Sequence, residues 1–329
     1  LKAVSPYGTD RELVETALGW LAAGYRPALV TVARTWGSSP RPVGSLMLMR
    51  EDGRHSGSVS GGCVEEDLVA RYRDGQLDDS FPTRIDYGID RAEASRLGLP
   101  CGGRLELLVE RLDSPAPLQL LRDAMSANRL LARRVCLETG EVSLHPATAG
   151  DEFAYTEGFL SRVFGPRWQM LLIGAGHLSR YVARIALMLN YRVMVCDPRD
   201  SYAEDEHDTG IERLDCMPDE AVQRCAGNPR SVVLALTHDP RLDDMALLDA
   251  LQSPLFYVGA IGSRLNSARR RERLATLGVT PAQLQRLHAP VGLDIGSHSP
   301  PEIAVSIMAE ITALRHRQRR SGRGAVGVA

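Results

Sequence analysis

Residues 57–66 read GSVSGGCVEE, so a single cysteine, Cys63, stands directly behind two glycines and in front of an acidic, apolar run. Gly61 and Gly62 permit positive φ and let a partner approach the backbone closely. Val64, Leu68 and Val69 then recur at roughly helical spacing, with Glu65, Glu66 and Asp67 in the first turn, where negative charge suits the helix dipole. The spacing predicts a helix that starts at Cys63, at the tip of a glycine loop. Unpaired N–H groups at such a start favour an anion. A thiolate is an anion, so the position suits a nucleophilic, metal-competent sulfur. On these residues alone, a small buried cysteine closing a turn is equally open.

Two further loops carry similar chemistry. Residues 99–103, LPCGG, place Cys101 beside glycines ahead of an apolar strand pattern at 105–110. Residues 35–44, TWGSSPRPVG, offer the backbone of Gly37, the hydroxyls of Ser38 and Ser39, and Arg41 as a phosphate partner. If the strands between them bring these loops together, Cys63 and Cys101 share one thiol-bearing pocket with the two serines on its wall.

A third constellation lies further on. An apolar strand at 170–173 runs into GAGHLS at 174–179, a helical pattern follows to 189, and a second strand at 192–196 ends in Asp197. Strand, glycine turn, helix and a downstream acid form a Rossmann βαβ fingerprint, with Ser179 where a third glycine or alanine usually sits. Gly174, Gly176 and the helix start at His177 are expected to face a phosphate or pyrophosphate, and Asp197 a ribose. An acid there favours NAD or another adenine nucleotide with a free 2′-hydroxyl over NADP. Strands at 231–236 and 255–258 end in Thr237-His238-Asp239 and in Gly259-Ala260-Ile261-Gly262-Ser263-Arg264. In a doubly wound sheet His177, Asp197, His238, Asp239, Gly259, Gly262, Ser263, Arg264 and Asp294 would stand along the ligand-binding rim. The arginines at 269, 270, 271 and 273 read as a solvated helix face.

The rest of the chain must position these groups. Its 329 residues suggest about two domains, and 44% hydrophobic residues suffice for real cores. A net charge of −2 gives no basic excess for nucleic acid, and no apolar run approaches a membrane span or a secretory leader. Six scattered cysteines without a CxxC pair fit neither a zinc finger nor a disulfide scaffold, so a reducing cytoplasm is the simpler setting. Lys2 is the only lysine beside 38 arginines, which removes Schiff-base and P-loop mechanisms. The expected organisation is α/β throughout. A mixed α/β domain covers 1–150, and a glycine- and proline-containing link covers 151–166. A Rossmann-type parallel sheet with helices on both faces covers 167–318, and 319–329 form a flexible basic tail.

Taken together, GSSPRPVGS (37–45), GSVSGGCVEEDLV (57–69), LPCGGRLELLVE (99–110), LLIGAGHLSRYVA (171–183), YVGAIGSR (257–264) and HAPVGLDIGSHSPPEIAVSIMAEI (288–311) resemble the xanthine dehydrogenase accessory family of the XdhC/CoxI type. The resemblance covers nearly the whole chain. It implies a chaperone that binds the molybdenum cofactor (molybdopterin), holds it while a cysteine desulfurase supplies sulfur, and passes it to an apo-molybdoenzyme of the xanthine oxidase class. Thiolate suits a soft molybdenum centre, so Cys63 would either ligate the metal or carry persulfide sulfur. A protein that shields such a cargo is expected to enclose it, in a homodimer or between its domains. Two other readings stand beside this one: an NAD-dependent oxidoreductase, resting on the Rossmann fingerprint alone, and a non-enzymatic nucleotide-binding scaffold.

Overall fold

The computed structural model describes residues 10–36, 41–77, 82–88, 104–148, 151, 153–199 and 210–317. They fall into two compact units, Leu1–Pro166 and Arg167–Ala329. No helix among the described residues is long and apolar enough to cross a membrane.

In the first unit α1 (Asp10–Ala22) leads to β1 (Ala28–Trp36), β2 (Leu46–Met49) and β3 (His55–Gly57). Then come α2 (Cys63–Arg73), β4 (Thr83–Tyr87), β5 (Arg104–Arg111) and α3 (Ala116–Ser126). The first sheet is antiparallel, in the order β3-β2-β1-β5-β4. β1 begins as an unbroken apolar run because both its faces are covered. Ala28, Val30 and Val32 pack with Val64 and Leu68 of α2, while Leu29 packs with Leu13 and Val14 of α1 and Leu118 and Leu121 of α3. That is the period-two alternation of a strand, satisfied on both sides.

A second antiparallel sheet, β7-β6-β9-β8, is built from β6 (Leu131–Cys136), β7 (Val142–Pro146), β8 (Ala154–Tyr155) and β9 (Phe159–Phe164). The expected link at 151–166 thus supplies two paired strands. Its Gly158 lies in the turn closed by the Thr156 N–H donating to the Phe159 carbonyl, so the small residues there mark a hairpin. The two sheets are joined by a buried ion pair, Glu110 with Arg133 at 2.8 Å, and by the Tyr155 hydroxyl donating to Glu106.

The second unit is a single six-stranded parallel sheet. Its strands are β10 (Gln169–Ile173), β11 (Arg192–Cys196), β12 (Ile211–Leu214), β13 (Ser231–Ala235), β14 (Tyr257–Ala260) and β15 (Leu287–His288). Their order is β12-β11-β10-β13-β14-β15, and every pairing is parallel. This 3-2-1-4-5-6 arrangement is the Rossmann order, with its switch point between β10 and β13. Helices α4 (His177–Met188) and α9 (Pro300–Arg317) bury Val182, Ala183, Ala186, Ala304 and Ile307 in one core cluster. Helices α5 (Pro218–Ala226), α6 (Pro240–Gln252) and α7 (Arg264–Thr276) bury Ala221, Val222, Ala246, Leu247 and Leu274 in the other. The short α8 (Pro281–Leu284) precedes β15.

The arginine-rich α7 departs from the solvated face its sequence suggests. Arg270 is buried and pairs with Asp243 at 2.8 Å. Arg273 pairs with Asp244, and Arg271 donates to the carbonyls of Leu284 and Leu287. A guanidinium carries five donors in a fixed fork, so three arginines of this helix fasten α6, α8 and β15.

Candidate functional site

In the first unit β3 delivers the chain into the cysteine loop. Gly57 has φ +85°, and a Cβ there would collide with the Leu46 carbonyl, so only glycine turns the strand end at this point. Val59 then plugs the core and is fully buried. Gly61, Gly62 and Cys63 are exposed, and Cys63 is the first residue of α2, as expected.

The loop's N–H groups are not free. The Glu65 carboxylate turns back under the loop and takes four of them: Val59 at 2.9 Å, Ser60 at 2.7 Å and Gly61 at 2.7 Å on Oε1, and Gly62 at 2.9 Å on Oε2. The hydroxyls of Ser58 and Ser60 donate to it as well. Burial alone would raise this carboxyl, but the N–H of Gly61 and the donors from Ser60 and Ser58 overcome it and hold Glu65 far below the usual carboxylate range. The anion at this helix start is therefore the protein's own glutamate. Its trace in the sequence is only half a capping box, an acid at N3 without the Ser or Thr at the N-cap that would announce it. Arg41, expected as a phosphate partner, donates from Nε to Ser58 Oγ at 3.2 Å and so reaches the same loop. Gly37, Ser38, Ser39 and Cys101 lie outside the described residues.

Gly62 has extended φ, and a Cβ on it would meet nothing within 4 Å. The space over Gly62 is therefore open beside Cys63. The other described cysteines differ in kind. Burial pushes the Cys196 and Cys225 thiols up to about 12. Cys136 is partly exposed, and hydrogen bonds from Thr139 hold its thiol below the usual range, a feature the strand pattern around it conceals. Among the described residues no group of three or more His, Cys, Asp and Glu side chains is placed to hold a metal ion.

In the second unit the glycine turn after β10 lies at the switch point. Gly174 has φ +107°, and a Cβ there would come within 3.0 Å of Thr237 Cγ2. The turn after β13 thus closes on it. Gly176 caps α4, and a Cβ on it would meet nothing. The Gly174 N–H donates to the Cys196 carbonyl and the Ala175 N–H to Asp197 Oδ2. The N–H groups of Gly176, His177 and Leu178 point from the helix start with no partner among the described residues. His177 is exposed beside them.

Asp197 stands at the end of β11 as the fingerprint requires, yet its side chain is fully buried and bound bidentately by Arg199 at 2.8 Å. Burial would raise this carboxyl; the Arg199 guanidinium and the Ala175 and Arg199 N–H groups overcome it and hold Asp197 below the usual range. Its first duty is to brace the glycine turn. His238 is exposed with φ +62°, a left-handed conformation that costs a histidine roughly 1 kcal/mol. It is held there by Thr237, whose hydroxyl and N–H both donate to buried Asp243.

The residues after β14 divide differently. A Cβ on Gly259 would lie 2.8 Å from both Tyr257 and Val291, so this glycine serves packing inside the strand. Gly262 has φ +153°, and Ser263 caps α7 by accepting the Asn266 N–H. Arg264 is exposed, 3.7 Å from equally exposed Asp294.

Comparison with known proteins adds a separate line. Residues 170–311 match the family described as the XdhC Rossmann domain, and residues 20–88 the XdhC and CoxI family. The chain is 27% identical over 319 residues to the molybdenum cofactor insertion chaperone PaoD of Escherichia coli (strain K12), covering 94% of this chain and 89% of that one. It is 27% identical over 318 residues to a probable xanthine dehydrogenase subunit of Bacillus subtilis (strain 168), covering 88% and 93%. A crystal structure described as a xanthine dehydrogenase from Bacillus halodurans superposes with a TM-score of 0.66 at 25% identity, covering 97% of this chain and 98% of that one.

Proposed function

Because the chain belongs to the XdhC and CoxI family, we propose that it is a molybdenum-cofactor chaperone that supports sulfuration of the cofactor and its insertion into an apo-molybdoenzyme of the xanthine oxidase class. The observation that carries this reading is the exposed Cys63, displayed at the tip of a loop that Glu65 cinches from below. A soft molybdenum–sulfur cargo calls for an accessible thiolate, and Gly62 leaves space for it to approach. Cys63 either ligates the molybdenum of the cargo or accepts persulfide sulfur from a cysteine desulfurase. Arg41 stands behind the same loop as a cation for the pterin phosphate. The protein acts by holding the cofactor and handing it over. Anaerobic purification in the presence of molybdopterin, followed by pterin fluorescence and metal analysis, tests the reading. Cofactor bound by the wild type and lost from Cys63→Ser supports it; a Cys63→Ser protein that both retains the cofactor and delivers it sulfurated removes the thiol from the site.

In the second unit we infer a nucleotide site at the β10–β13 switch point. The open space over Gly176 and the N–H groups of the α4 start, which have no partner among the described residues, support a pyrophosphate there. Calorimetric titration with ADP tests this.

A further inference from the structure

A cluster of titratable side chains lies outside both sites. Glu310, on α9, gathers three donors into one carboxylate. His288 Nδ1 is 2.6 Å from Oε1; the Tyr257 hydroxyl at 2.9 Å and the Gly292 N–H at 2.6 Å donate to Oε2. The Tyr257 and His288 rings stack at 4.3 Å. Burial would raise the Glu310 carboxyl, and these donors, His288 foremost, hold it below the usual range. An ionised carboxylate only accepts, so Nδ1 of His288 carries a proton and Nε2 is left as the working nitrogen. Nε2 has no partner among the described residues, and the ring is one-third exposed.

The place of this dyad in the sheet gives it meaning. Ile173, Ala235 and Ala260 form the last register row of β10, β13 and β14, and His288 pairs with Gly259, one row in. Three inter-strand spacings, about 14 Å, separate the strand that carries the glycine turn from the strand that carries His288. Both α4, whose start would hold the pyrophosphate, and α9, which supplies Glu310, cover the same face of the sheet. A dinucleotide laid from the switch point would carry its second half over β13 towards β14, where the His288 ring leans onto Tyr257. An oriented histidine–carboxylate pair with one free ring nitrogen is costly to build for packing alone, because an apolar pair would fill the same space without desolvating a charge.

We propose that His288, oriented by Glu310, is a ligand-contacting residue of the C-terminal unit, its free Nε2 exchanging a hydrogen bond or proton with the half of a dinucleotide that extends towards β14. The proposal rests on the nucleotide reading given above. Glu310 acts through His288 and is a positioning residue.

Calorimetry with ADP and with NAD+ on the full chain separates the two claims. ADP reports the switch point alone, and NAD+ adds a second half that extends towards β14. In His288→Asn the amide nitrogen takes the place of Nδ1 and keeps the bond to Glu310, but nothing replaces Nε2. This variant should fold with an unchanged melting temperature, bind ADP within twofold of wild type, and lose about tenfold in NAD+ affinity, equivalent to about 1.4 kcal/mol. His288→Gln, whose amide reaches the Nε2 position, should recover part of the loss, and Glu310→Gln should show a smaller loss confined to NAD+. Equal NAD+ affinity in wild type and His288→Asn overturns the proposal, as does an equal loss of ADP and NAD+, or wild type that binds ADP but not NAD+. Wild type that binds neither overturns the nucleotide reading and this proposal with it.

Discussion

Asp197 Oδ2 accepts the backbone N–H of Ala175 at 2.8 Å, so the acid at the end of the second parallel strand closes the glycine turn that follows the first. The same carboxylate is held by Arg199. The turn's shape therefore depends on a side chain 22 residues away in sequence. Asp197→Ala removes the acceptor of the Ala175 N–H and takes a carboxylate partner from Arg199. We expect ADP affinity to fall at least about tenfold, that is about 1.4 kcal/mol, with the melting temperature lowered by only a few degrees. Unchanged affinity in calorimetry would show that the turn keeps its shape without the brace.

Glu65 gives a prediction in stability and pH. Glu65→Gln keeps the shape but loses the charge that four N–H groups converge on, at a cost of about 3 kcal/mol. The folded carboxyl lies below its unfolded value, so its stabilisation is fully present above about pH 4.3 and drains away as pH falls towards the folded pKa. Urea midpoints measured between pH 7 and pH 3 should fall for wild type at the acid end and fall less for Glu65→Gln. Parallel curves for the two proteins would mean that Glu65 titrates alike in both states.

Much of this is legible in the residues, for reasons of range. β10, α4 and β11 follow from local periodicity and turn chemistry, and the expected strand at 192–196 and acid at 197 stand where the spacing puts them. The two-residue β15 carries too little pattern to announce itself, so His288 is legible only as the first residue of the family motif at 288–311, with no role attached. Its dyad is made across 22 residues by Glu310 on a helix that reads as plain amphipathic sequence. The cysteine loop reads as an anion site and is one, but its occupant is Glu65, because an acid at N3 looks the same whether it faces solvent or turns back under the loop. The arginines of α7 mislead for a similar reason: charge density implies exposure until a buried partner such as Asp243 is known.

That pair supports its own prediction. Asp243 is fully buried and Arg270 nearly so; Asp243 also takes both donors of Thr237, and Arg270 donates to the Ile261 carbonyl. Together they tie the turn after β13 to the turn after β14. Asp243→Ala takes from the buried Arg270 guanidinium its 2.8 Å partner, leaves it only the 3.5 Å contact with Asp244 among carboxylates, and should cost about 3 kcal/mol in chemical denaturation. The double variant Asp243→Leu with Arg270→Met should recover much of that loss, while Arg269→Ala on the exposed face should lie within about 0.5 kcal/mol of wild type. Additive losses in the double variant would show that the two groups do not act as a pair.

The cysteines permit the sharpest test of the proposed function, because the five described thiols differ in access. Cys63 is exposed, Cys136 and Cys216 are partly exposed, and Cys196 and Cys225 are buried. Alkylation of the native protein at pH 7.5 should modify Cys63 first, because reaction requires access as well as thiolate. Cys136 is the rival: hydrogen bonds from Thr139 favour its thiolate, but its partial burial in the β6–β7 hairpin slows a bulky reagent. Cys196 and Cys225, pushed up to about 12 by burial, should stay unmodified until the protein unfolds. Reagent size then separates access from acidity, since a small alkylating agent should narrow the gap between Cys63 and Cys136 and a bulky maleimide should widen it. Single Cys→Ser variants connect this order to function. Cys63→Ser should lose molybdenum-cofactor retention and activation of an apo-molybdoenzyme, while the serine variants of Cys136, Cys196, Cys216 and Cys225 retain both. If Cys136→Ser loses retention and Cys63→Ser does not, the functional thiol belongs to the second antiparallel sheet, and the loop held by Glu65 keeps only a backbone role.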